Sequence, residues 1–128
     1  MKRLLVLVAA ALVLVSAGKK GDTVMTKENG TYVVNTTTLT NDVEGYAGPV
    51  PVKVYIKKNK VEKVEVLPNK EGPKYMNNVK NKLLEAWNGL TVKEAKAKQV
   101  DAVTGATFTS KALIENVQRG LDYYQKNK

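Results

Sequence analysis

The chain has 128 residues, a formal net charge of +9 (21 Lys and Arg against 12 Asp and Glu), and neither cysteine nor histidine. That length suits one domain, and the missing residue types exclude disulfide frameworks, thiolate nucleophiles, Cys/His zinc sites and serine–histidine triads. Any redox chemistry would have to be carried by an organic group, and no metal site is expected.

In chain order, Met1-Lys2-Arg3 is a positive opening, and residues 4–15 (LLVLVAAALVLV) form a continuous apolar run. The run is shorter than the roughly 20 residues that span a bilayer. With the small residues of Val15-Ser16-Ala17 behind it, the segment predicts a secretory signal over residues 1–17 and a mature chain from Gly18. The expected location is extracytoplasmic, secreted or periplasmic. The same tripeptide would suit a lipoprotein signal, but Gly18 stands where the lipidated cysteine belongs, so a lipid anchor is not possible as written. Without Lys2 and Arg3 the charge is 19 − 12 = +7. A surplus of this size is a solvated lysine surface, or draws an acidic partner or an anionic membrane. Nucleic acid is not expected, because the lysines are scattered, one Phe stands beside six Tyr, and the destination is outside the cell.

Residues 18–28 (GKKGDTVMTKE) read as a polar tether with at most a short strand. Asn29-Gly30 is a turn signal, and the β-branched residues of 30–39 (GTYVVNTTTL) predict a strand. Residues 41–51, with two glycines and two prolines, predict a loop. Val50, Val52, Val54 and Ile56 then alternate with Pro51, Lys53, Tyr55 and Lys57, the period of a half-buried strand. Lys58-Asn59 predicts a tight turn and residues 60–67 the returning strand, with outward lysines that discourage edge pairing. Glu71-Gly72-Pro73 predicts a turn, with Pro73 at the first position of a helix. Met76, Val79, Leu83 and Trp87 give that helix an apolar face as far as Asn88-Gly89. Thr91 and Glu94 match a capping box, starting a short helix to about Lys98. The last helix is expected over residues 109–125, with Leu113, Val117, Leu121 and Tyr124 on one stripe. No internal repeat is visible. The predicted fold class is α+β: a mostly antiparallel sheet with a central β-hairpin and packed helices. Its parts are the signal (1–17), a tether and first strand region (18–40) and the main domain (41–128).

The densest chemistry is DAVTGATFTS, residues 101–110, just before the last helix. A helix N-terminus leaves backbone N–H groups without partners and carries roughly half a positive charge, which favours a phosphate. Gly105 permits positive φ, Ala106 keeps bulk away, Thr107, Thr109 and Ser110 offer hydroxyls, and Lys111 adds a cation. A bland alternative stays open on the residues alone: one of the hydroxyls simply caps the helix.

Asp101-Ala102-Val103-Thr104-Gly105-Ala106-Thr107 resembles the Asp-x-x-Ser/Thr-Gly-Ala-Thr sequence of the FMN-binding domain family. That family includes flavin-carrying subunits of the sodium-translocating NADH:quinone reductase and of Rnf complexes. The resemblance extends over Gly45-Tyr46-Ala47-Gly48-Pro49-Val50, the hairpin of residues 52–66, and Trp87-Asn88-Gly89-Leu90, and covers about residues 45–124. It implies FMN as cofactor, esterified through its phosphate to Thr107 by a flavin transferase that uses FAD. Asp101 and the Thr104-Gly105-Ala106 turn would be recognised by the transferase and shape the phosphate pocket, with Thr109 and Ser110 beside them. Members commonly show Glu-Thr-Pro where this chain has Glu71-Gly72-Pro73, which removes a hydroxyl from that loop. The flavin ring needs an apolar or aromatic face, for which Tyr46, Tyr75, Trp87 and Phe108 are candidates if they are not core.

The function these residues imply is an extracytoplasmic electron carrier with FMN on Thr107. It is expected to be a carrier rather than an enzyme, with no catalytic residue of its own. Its expected partners are the flavin transferase and acidic or membrane-bound redox proteins, steered by Lys53, Lys57, Lys58 and Lys60. Two other classes compete: a cofactor-free basic module that binds the cell envelope, and a reductase holding FMN noncovalently.

Overall fold

The computed structural model describes residues 24–128; the expected signal (1–17) and the first part of the tether (18–23) lie outside the described residues. Four strands, β1 (Met25–Glu28), β2 (Thr31–Asn35), β3 (Val52–Lys57) and β4 (Lys60–Val66), form an antiparallel sheet in sequence order. Three helices follow: α1 (Pro73–Leu83), α2 (Val92–Ala97) and α3 (Thr107–Asn127). The fold is α+β, as expected. All three helices lie on one face of the sheet. α3 crosses β2 and β3, α2 fits between α3 and β4, and α1 leans on α3.

The core forms where the two patterns meet. Val52, Val54 and Ile56 of β3 are fully buried, and so are Leu113, Val117 and Leu121 of α3, with Tyr124 nearly so. Both sets are the ones that period two and helical spacing pick out. The hairpin turn is at Lys58 and Asn59, both in the left-handed region at φ 53 and 63. On β4, Val61 and Val64 both face the core although they are three residues apart. A β-bulge reconciles them. Tyr55 pairs with Lys63 and Ile56 with Val61, so Glu62 is the extra residue that returns the next valine to the inner face.

Three boundaries differ from the sequence expectation, each for a local reason. β2 stops at Asn35 rather than 39, because Asn35 Oδ1 accepts from the N–H and hydroxyl of Thr37. Such side-chain bonds compete with a strand ladder. α1 ends at Leu83 instead of Trp87. Beyond it, Ala86, Asn88 and Leu90 bond three residues back, and Gly89 N–H donates to Val61 O on the edge of β4, burying Trp87 fully on the way. α3 begins at Thr107, two residues sooner than expected, with Ala106 as its N-cap. The Thr91–Glu94 capping box forms as predicted, with bonds of 3.1 and 2.9 Å.

A polar node inside the core fixes α3 against the 36–40 turn. Asn116 Oδ1 accepts from the hydroxyls of Thr36 and Thr40, each at 2.6 Å, and its amide donates to Ala112 O. Every member is buried and partnered, which is what keeps such a node from destabilising the core. This contact anchors the upper half of α3 and so sets where its N-terminus stands.

Candidate functional site

The first turn of α3 and the two loops beside it enclose a cleft of about 390 Å³. It is lined by Tyr46, Tyr75, Gly105, Ala106, Thr107, Phe108 and Thr109. Tyr46 comes from the loop between β2 and β3, Tyr75 from the first turn of α1, and the rest from the 104–110 segment. These three aromatic side chains are the exposed large hydrophobics of the described chain: Tyr46 at 80 %, Phe108 at 63 % and Tyr75 at 51 %. Trp87, the fourth aromatic candidate, is core and takes no part in the cleft.

The phosphate-favouring features are concentrated at Thr107. Gly105 sits at φ +85, a conformation that a side chain would strain, and turns the chain into the helix. Ala106, almost fully buried, follows as N-cap and provides no side-chain hydrogen bond. The hydroxyl-cap alternative is therefore not what the fold uses. The N–H groups of Thr107, Phe108 and Thr109 open the helix ladder, and among the described residues no acceptor meets them. Thr107 itself is exposed, and Lys111, also exposed, follows one turn later on the same face.

The six companions of Thr107 divide into two groups. Asp101, Thr104 and Gly105 are exposed and stand before the helix. Ala106, Thr109 and Ser110 are buried. Ser110 Oγ accepts from Val103 N–H at 2.9 Å and donates to Ala106 O at 2.7 Å, closing the turn that carries Gly105. Thr109 donates its hydroxyl to the Glu71 carboxylate at 2.5 Å. These two hydroxyls hold the turn in shape and are spent inside the protein. The residue missed from the sequence is Glu71, which also accepts from the N–H groups of Tyr46 and Ala47 at 2.8 and 2.6 Å. Its partners lie 24 to 38 residues away along the chain, so local spacing does not reveal its contacts.

The lysines of the β3–β4 turn are not part of the cleft. Tyr124 near the end of α3 stacks edge-on against Tyr32 at 5.1 Å, and Tyr32 pairs with Ile56, next to Lys57. Lys57, Lys58 and Lys60 therefore stand near the far end of α3, about 25 Å from Thr107 along the helix. Among the described residues no group of three or more acidic, histidine or cysteine side chains could hold a metal, and no helix is long and apolar enough to cross a membrane.

The chemistry of the cleft fits a flavin mononucleotide. Unpartnered N–H groups and a helix dipole suit the phosphate, and three exposed aromatic rings offer faces to an isoalloxazine. No curated protein gives a significant match to the chain. The family model for the FMN-binding domain matches residues 45–122, from the glycine that opens the Tyr46 loop to the last third of α3, and so includes every wall of the cleft. The chain belongs to the FMN-binding domain family, and FMN is the cofactor that membership supports.

Proposed function

We propose that this protein is an extracytoplasmic electron carrier whose FMN is joined by a phosphoester to Thr107. The observation that carries this is the position of Thr107: an exposed hydroxyl on the first residue of α3, in the aromatic cleft, beside N–H groups that have no acceptor among the described residues. In the joining step, Thr107 Oγ1 bonds to the flavin-side phosphorus of FAD, the pyrophosphate P–O bond breaks, AMP departs and the hydroxyl loses its proton. The transferase supplies the catalysis. The resulting diester keeps one negative charge, which the helix N-terminus favours.

A chain without cysteine or histidine cannot use the ring-linked attachments common among covalent flavins, and a hydroxyl suffices here. Covalent attachment also suits a protein outside the cytoplasm, where a lost cofactor is hard to replace. The cleft is lined by the aromatic rings of Tyr46, Tyr75 and Phe108, an arrangement that suits electron exchange between a bound flavin and protein partners. Those partners would approach at the exposed Tyr46–Phe108 rim, from which a ring held in the cleft would be reached. Lys53, Lys57, Lys58 and Lys60 would add long-range attraction to an acidic redox protein, and an association rate indifferent to salt would count against that.

Co-expression with a flavin transferase, followed by a denaturing gel, tests the attachment. Fluorescence that survives denaturation and vanishes in Thr107→Ala is the expected result. Flavin that is present but released by denaturation would point to noncovalent binding and a reductase. No flavin at all despite an active transferase would point to the envelope-binding module.

A further inference from the structure

Glu71 is a buried carboxylate, 6 % exposed, and among the described residues no cation pairs with it. It is satisfied by three donors instead. Oε1 accepts from Tyr46 N–H and the Thr109 hydroxyl, and Oε2 accepts from Ala47 N–H. Two of these donors belong to the loop that carries Tyr46, and the third to the helix turn that carries Thr107 and Phe108. Glu71 is itself fixed, since its N–H donates to Asn69 Oδ1 at 3.0 Å while the Asn69 amide donates to Leu67 O. The fit is close: a Cβ at Gly45 would lie 2.5 Å from Glu71 Oε1, so glycine is required where the loop crosses the carboxylate.

We propose that Glu71 is a positioning residue for the flavin, a clamp that fixes the Tyr46 loop against the first turn of α3 and so sets the width of the aromatic cleft. The proposal rests on the reading that the flavin ring lies in this cleft. Glu71 does not line the cleft; it acts through Tyr46 and Thr109. A carboxylate is the group for this task because both its oxygens can accept, and all three of its neighbours donate. A glutamine of the same shape brings two N–H donors of its own. Whichever way its amide is turned, its nitrogen faces the N–H of Tyr46 or of Ala47. Thr109 can adapt by rotating its hydroxyl, whereas a loop N–H cannot.

The substitution Glu71→Gln should therefore free the loop and leave the helix in place. In the flavin-free protein, hydrogen exchange at Tyr46 and Ala47 is expected to quicken by about tenfold or more, with Leu113 and Val117 little changed. After loading by a flavin transferase, Thr107 should still be modified, and flavin fluorescence should rise several-fold because the ring is no longer held against quenching aromatics. Thr109→Val cuts the same link from the helix side with a side chain of equal shape. It is expected to raise fluorescence too, and it keeps the test open if Glu71→Gln does not fold. Wild-type fluorescence in both variants, or exchange that quickens equally across the core, would overturn the proposal alone. Wild-type protein whose Thr107-linked flavin already fluoresces like free FMN would overturn the location of the ring, and the proposal with it.

Discussion

The rings of Tyr46 and Phe108 stand 6.4 Å apart, tilted by 36°, and both residues are largely exposed. Exposed aromatics in contact at the mouth of a cleft contribute little to folding and are available to a ligand. Tyr46→Ala and Phe108→Ala are accordingly expected to change folding stability by no more than about 0.5 kcal/mol. In protein loaded with flavin, each should raise flavin fluorescence and its sensitivity to a soluble quencher. Urea titration and a quenching titration on the same sample measure both. A large loss of stability would show that these rings serve the fold instead.

Ser110 makes the opposite prediction. Its hydroxyl is wholly buried and is the partner of Val103 N–H, so Ser110→Ala leaves a buried donor without an acceptor. That costs about 1–3 kcal/mol. Thr107→Ala, one turn away in the helix, removes an exposed hydroxyl that has no hydrogen-bond partner among the described residues and should cost under about 0.5 kcal/mol. Urea midpoints of the two variants separate the residue that shapes the turn from the residue that the turn presents.

The Arg119 guanidinium holds the Asp42 carboxyl below its ordinary value of 3.8, chiefly through a direct hydrogen bond. The bond is a fork, Nη1 to Oδ1 at 2.6 Å and Nη2 to Oδ2 at 2.9 Å, which ties α3 to the loop after β2. Lys96 and Lys126 lower Asp122 in the same direction. A carboxyl depressed in the folded state binds fewer protons there than when unfolded. Its contribution is whole above the unfolded value and is lost as pH falls through the folded one, a window below about pH 4. Both carboxyls are exposed, so the effect is small. Asp42→Asn should flatten the fall of the urea midpoint in that window, and an unchanged slope would contradict the pairing.

The alternation from Val52 to Ile56, the stripe from Leu113 to Tyr124 and the Thr91–Glu94 box each depend on neighbours in sequence, and each was legible there. The bulge at Glu62 was not, because a Val61–Val64 spacing of three fits a strand only when its pairing with β3 is known. The hydroxyl cluster was legible as a dense polar stretch before the last helix, but not its division between exposed and buried members. A signal existed: Thr109 and Ser110 lie four and three residues before Leu113, so the buried stripe extended backwards places both inside. For Glu71 the signal was the glutamate this chain shares with the family's Glu-Thr-Pro, which marks the position but not its partners. Between Lys70 and Gly72 it reads as a surface turn, and only the tertiary fold brings the Tyr46 loop and Thr109 to it.

The most direct test is the intact mass of the protein matured in its native host, with peptide mapping of the 101–111 segment. A gain of one FMN less one water, localised to Thr107, is the predicted result. Unmodified polypeptide, or flavin that separates on denaturation, would contradict the attachment on which the carrier role depends.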